Sequence, residues 1–174
     1  MFKSTDRKNM VRWISLAGLM IAMGVVVGCL SFFPMISKKI SFGFLVSGAA
    51  GYILGPAAAV CGALVDIIGC WLHPKGPYFW GFTVTAALGN LIYGVGFHSK
   101  KVSFLRCLVV CLVVIVFCNL CLNTLWILHI SHAQPKVLLL QRLLWSAVDL
   151  VLHPTLLTVV LKKLEELQKA RPWF

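Results

Sequence analysis

The residues able to do chemistry concentrate in one stretch, Asp66 to Tyr93. An ionisable Asp66 lies inside an apolar helix, and a short loop of His73, Pro74, Lys75 and Gly76 follows with four rings around it: Trp71, Tyr78, Phe79 and Trp80. A second apolar helix then begins at Gly81. A carboxylate at the centre of a membrane helix costs about 2.5–3.5 kcal/mol on insertion scales, so such residues face a partner or a cavity. Rings and prolines give that cavity a stiff, stackable rim. The pattern points to a small-molecule site opening at one membrane face.

The elements that position these groups are apolar throughout. The chain has 174 residues, 60% of them hydrophobic and 12% charged, with a mean hydropathy of +0.92. A soluble domain cannot hide that much apolar surface, so an integral membrane protein is expected. The net charge of +11 comes from Lys and Arg at helix ends, which argues against a nucleic-acid patch along one face. The first apolar run is too long, and lacks the small-residue site, for a cleavable secretory signal. The seven cysteines, 29, 61, 70, 107, 111, 118 and 121, fall within expected spans and read as packing residues.

In order, the spans expected are about 13–37, 40–54, 57–72, 81–97, 104–128 and 138–161, followed by an amphipathic cytoplasmic tail, 162–174. Together they form a single membrane domain over 1–174, an all-α bundle of six transmembrane helices. The first span carries Gly18-x-x-x-Ala22 and Gly24-x-x-x-Gly28, which let another backbone approach closely. Packing within the chain is the common use of such pairs; docking of another protein is the sharper one. The second span is short and glycine-rich, and Gly55-Pro56 makes the turn after it. The fourth span carries Thr83, Thr85 and Asn90; the fifth ends in Asn119, Asn123, Thr124 and Trp126; the sixth contains Gln141, Arg142 and Asp149.

Six crossings put both termini on one side. With the N-terminus inside, eleven of the 16 Lys and Arg lie inside; Lys38, Lys39, Lys75, Lys136 and Arg142 lie outside. The bias favours an N-in, C-in orientation, with an outward-facing pocket capped by the loops after helices 1, 3 and 5. No acid occurs in any outer loop. A mouth lined by cations and rings suits an anionic, aromatic ligand. The lysines singly read as interfacial snorkelling residues, whereas Arg142, inside its span, reads as functional.

Other chemistry finds little support. No G-x-x-x-x-G-K-[ST] is present, so ATP hydrolysis is not expected of this chain. His129-x-x-His132 has no carboxylate or third His nearby to complete a metal site, and His73, His98 and His153 are scattered at span ends. An intramembrane aspartyl dyad of Asp66 and Asp149 would want a glycine-rich motif beside each acid, and Asp149-Leu-Val-Leu lacks one. The chain is therefore read as a non-enzyme with no cofactor of its own.

The motifs Gly18-x-x-x-Ala22, Gly55-Pro56, Asp66-x-x-Gly69, Pro74-x-Gly76-x-Tyr78-Phe79-x-Gly81-Phe82-Thr83, Tyr93-Gly94 and Asn123-Thr124-x-Trp126, with the Arg142 region, carry a resemblance over nearly the whole chain. It resembles the substrate-binding S components of energy-coupling factor vitamin transporters, most closely the folate family. Two departures stand out: Gly18 where the family commonly has Ala, and Trp80 where a Pro is usual. The resemblance implies a six-helix protein of the cell membrane, in a Gram-positive-type bacterium. It would capture folate or a related pterin outside and reorient against a transmembrane coupling subunit powered by two cytoplasmic ATPases. It also implies roles for single residues. Tyr78, Phe79, Trp80 or Trp126 would stack on the pterin, and Asp66 would accept its amino-pyrimidinone edge. Thr83, Asn90 and Asn123 would supply neutral hydrogen bonds, and Arg142, with Lys39 or Lys75, would face the glutamate carboxylates. Gly18, Ala22, Gly24 and Gly28 would meet the coupling subunit. An Asp66–Arg142 ion pair within the bundle remains an alternative for Asp66. An S component for another aromatic vitamin, or a ligand-free membrane assembly protein, remain alternatives for the whole.

Overall fold

The computed structural model describes residues 4–29, 32–35, 38–40, 42–72, 79–131 and 135–170, with side chains for all of these but 4–9, 32–35, 38–40, 131, 135–138 and 141. Lys75 and Tyr78 lie outside the described residues, as does the Lys39 side chain.

Helix α1 runs Ser4–Cys29, and its end is the first departure from expectation. Instead of continuing to residue 37, the chain forms two short strands, β1 Phe32–Met35 and β2 Lys38–Ile40. They pair antiparallel, with Phe32 opposite Ile40 and Met35 opposite Lys38. Pro34 cannot continue a helix interior, and the Phe32-Phe33 pair favours extended backbone. The protein is a helical bundle, as expected, with one short β-hairpin added between its first two helices.

Helix α2, Gly43–Leu54, passes through a single 3₁₀ turn, Gly55–Ala57, into α3, Ala58–Leu72. Gly55 adopts φ +63°, a left-handed backbone that side chains resist, and Pro56 pre-sets the first turn beyond it. Helix α4, Trp80–Phe97, packs against both α2 and α3. The fifth expected span divides into three. Helix α5, Phe104–Val113, gives way to a π-helical stretch, Val114–Leu122, and then to α6, Asn123–Ser131. The sixth span and the tail form one 36-residue helix, α7, Pro135–Ala170, with Pro154 inside it.

Four helical runs among the described residues are long and apolar enough to cross a membrane: Met10–Cys29, Gly43–Leu72, Phe104–Ile130 and Arg142–Ala170. Their outer faces carry exposed Val26, Val60, Phe117, Leu144 and Val159, as a lipid solvent requires. Inside, one cluster gathers Tyr93, Phe97, Cys107, Cys111, Leu157 and Leu161 where α4, α5 and α7 meet. A second joins α1, α2 and α3 through Met20, Val46, Ala50, Ile53, Ala58 and Cys61. Cys61, Cys107, Cys111 and Cys118 are buried free thiols, filling space as small apolar side chains do.

Candidate functional site

A cavity of about 450 Å³ lies between α1, α2, α3, α4, the π-helical stretch and α7, within the range of about 300–1,000 Å³ that small-molecule sites occupy. Asp66 reaches it from α3. Its Oδ2 accepts a hydrogen bond of 2.7 Å from Thr83 Oγ1 on α4, so Thr83 braces the acid and does not itself line the cavity. Charge-assisted bonds of this length are among the stronger ones available to a carboxylate. The bond also fixes which oxygen remains for other donors: Oδ1.

An aromatic cluster forms where α4 begins. Phe79 lies 5.4 Å from Trp126 and 6.2 Å from His129, ring centre to ring centre, and it meets Phe82 edge-on at 6.2 Å. The rings come this close because Gly81 lies beneath them; a Cβ there would stand 2.7 Å from the Trp126 indole. Trp126 Nε1 donates to Thr85 Oγ1 at 3.1 Å, and Thr85 Oγ1 donates to the Gly81 carbonyl at 2.9 Å. The indole is thereby held in one orientation. Of the rings offered for stacking, Phe79 and Trp126 lie together, whereas Trp80 is 70% exposed.

Three asparagines give the wall its neutral polarity. Asn90, Asn119 and Asn123 all line the cavity. Asn90 Nδ2 donates to the Ala86 carbonyl at 2.9 Å, and its amide occupies the space that a side chain at Gly62 would fill. Asn123 Nδ2 donates to Asn119 Oδ1 at 3.3 Å.

Arg142 does not face Asp66. Its guanidinium donates to the Asn119 carbonyl at 2.9 Å and to Thr124 Oγ1 at 3.3 Å, while Nε is buried without a partner. Asn119 lies in the π-helical stretch, and its carbonyl also accepts from Thr124 Oγ1 at 3.5 Å. Among the described residues no ion pair joins Asp66 to Arg142, and Arg142 is not among those lining the cavity. The cation reads as a tie between α7 and the fifth span. Arg142→Ala, which removes both bonds made by Nη1, should therefore destabilise the detergent-solubilised protein by about 1–3 kcal/mol. A thermal melt alongside a ligand titration checks this, with a loss of affinity under threefold expected.

The small-residue face of α1 divides. Gly24 is buried against α3, where a Cβ would stand 2.8 Å from a Val65 methyl carbon, and Gly28 lines the cavity. Gly18 and Ala22 remain exposed, with open space around Gly18. Gly24 and Gly28 thus belong to the chain's own interior, which corrects their assignment to a docking face.

Sequence reasoning passed over three wall residues: Phe82, Thr85 and His153. His153 is not at a span end; it lies inside α7, one turn after Asp149, at 3.8 Å from its carboxylate. An acid and a histidine four residues apart in an apolar helix was the available signal.

No protein-family model matches the chain. It is 37% identical to the folate transporter FolT of Clostridium novyi (strain NT) over 131 residues, which covers 75% of this chain and 76% of that one. It is 31% identical to the folate transporter FolT of Leuconostoc mesenteroides over 105 residues, covering 58% and 57%. Among solved structures it is similar to a crystal structure of FolT bound with folic acid, with a TM-score of 0.78, 30% identity, and coverage of 83% of this chain and 89% of that chain. With its apolar helices, its central cavity and a curated relative that matches three quarters of its length, the chain is a membrane protein that belongs to the folate transporter FolT family.

Proposed function

We propose that this chain is the substrate-binding S component of an energy-coupling factor importer, taking folate or a closely related pterin at the outer face of the cell membrane. The observation that carries the reading is the cavity wall. A single acid, braced through one oxygen by Thr83, faces a space of ligand size with three asparagines on its wall, and Thr85 of that wall holds the Trp126 indole behind it. The similarity to a FolT that holds folic acid supports the choice of ligand. Asp66 accepts the amino-pyrimidinone edge through Oδ1, and Asn90 and Asn123 add neutral hydrogen bonds. Phe79 and Trp126 supply the stacking surface, and Lys39, Lys75 and Tyr78 complete the mouth.

The bundle crosses the membrane six times with both ends inside, in keeping with the distribution of Lys and Arg. Delivery is by reorientation against a transmembrane coupling subunit, and two separate ATPase subunits supply the energy. The exposed Gly18–Ala22 face of α1 is where the coupling subunit approaches. The relatives from Clostridium and Leuconostoc support a Gram-positive-type source.

Heating the purified protein with folic acid, riboflavin, thiamine and biotin in turn tests the reading. A ligand at a hundred times its dissociation constant adds about 2.7 kcal/mol to the folded state. Folic acid should raise the melting temperature by several degrees and the other three should leave it in place. A shift with one of the others and none with folic acid would assign the cavity to a different vitamin, and no shift with any would leave a protein of membrane assembly.

A further inference from the structure

We propose that His153, held by Asp149, is the cationic contact of the cavity and reads the anionic end of the ligand. The inference deepens the folate reading and rests on it. Among the described residues that line the cavity, His153 is the one side chain able to carry a positive charge. Arg142, the natural choice from sequence, spends its guanidinium on the Asn119 carbonyl and Thr124.

The geometry around His153 is that of a held ring. Asp149 lies one helical turn before it, its Oδ1 at 3.8 Å from Nε2, and both side chains are about five-sixths buried, with exposures of 16% and 17%. From the facing helix, Phe44 stacks on the imidazole with ring centres 3.8 Å apart and planes 20° from parallel. Phe44 fixes the plane of the ring, and the Asp149 carboxylate stands beside it. Two ionisable groups in one turn of a membrane helix are costly, and a packing role would need neither. Pro154 follows directly and cannot donate to the Leu150 carbonyl, so the turn carrying the pair lacks one of its backbone bonds.

The cavity therefore has two unlike polar walls. Asp66 on α3 offers an acceptor, and His153 on α7 offers a ring able to carry a positive charge. A ligand with hydrogen-bond donors on its ring edge and carboxylates on its tail matches both walls.

The test compares folic acid with its dimethyl ester, which has the same ring system and no tail charge, by calorimetric titration of the purified full-length protein. Wild-type protein should bind the ester at least tenfold more weakly. His153→Gln keeps a polar side chain and removes the cation; it should lose at least tenfold for folic acid and less than twofold for the ester. Asp149→Asn should show the same selectivity at about three- to tenfold, and it carries the test if His153→Gln does not fold. Equal losses for acid and ester would reduce His153 to a packing residue and overturn the proposal. Unchanged affinity for folic acid in both variants would overturn it too. Failure of wild-type protein to bind either compound would instead overturn the folate reading, and this inference with it.

Discussion

Asp66→Asn should weaken folic acid binding more than tenfold, a loss above about 1.4 kcal/mol, while the melting temperature of the ligand-free protein stays within about 2 °C, the equivalent of about 0.5–1 kcal/mol for a chain of this size. The two effects separate because the carboxylate has two oxygens with different work. Oδ2 takes the Thr83 hydroxyl at 2.7 Å, and an asparagine can still offer one carbonyl oxygen to that hydroxyl. The other position becomes an NH₂ donor, facing the donor edge of the ligand, so an attraction turns into a mismatch that leaves buried polar groups unpaired. Stability is spared for a second reason. Arg142 is bonded to Asn119 and Thr124, so removing the charge at Asp66 orphans no cation within the bundle. Titration calorimetry and a thermal melt on the same preparation measure both quantities. A collapse of stability with affinity intact would return Asp66 to a structural role.

What the sequence revealed, and what it withheld, follows the range of the forces involved. Asp66 was legible because an acid in an apolar helix is costly wherever the helix goes. The aromatic cluster was legible in part: Phe79 and Trp126 meet because Gly81 makes room for them, whereas Trp80 is exposed. One helical step separates the two outcomes, and no local pattern chooses between them. The hairpin at 32–40 was hidden by its own composition, since Phe32, Phe33, Met35 and Ile40 extend the apolar run that marks a span. The π-helical stretch was hidden for a different reason. Its residues, VIVFCNLCL, suit an ordinary helix equally well, and only tertiary context decides to widen the turn. The Arg142 contact was hidden too, because one of its partners is a backbone carbonyl of that stretch, and a sequence displays side chains only.

Gly94→Ala should be the most damaging small substitution in the bundle, costing about 3 kcal/mol and lowering the melting temperature by about 6–12 °C. The reason is that the atoms in the way are backbone. A Cβ at position 94 would run into the Gly55 carbonyl, 2.6 Å from its carbon and 3.0 Å from the Pro56 Cα. Across the same contact, a Cβ at Gly51 would stand 2.7 Å from the Tyr93 carbonyl carbon and 2.9 Å from the Gly94 nitrogen. Side chains can rotate away from an added methyl; these atoms cannot, and the turn they belong to is already pinned by the positive φ of Gly55. The only relief is to push α4 away from the α2–α3 turn. Gly89 and Asn90 ride on α4 and line the cavity, so ligand affinity should fall along with stability, the opposite of the separation expected at Asp66. Gly18→Ala provides the control: nothing lies within 4 Å of its added Cβ, and alanine is the better helix former, so its melt should match the wild type or exceed it slightly. If Gly94→Ala melts with the wild type as well, the close crossing of α4 over the Gly55 turn does not hold the bundle together, and the cavity must owe its shape to other contacts.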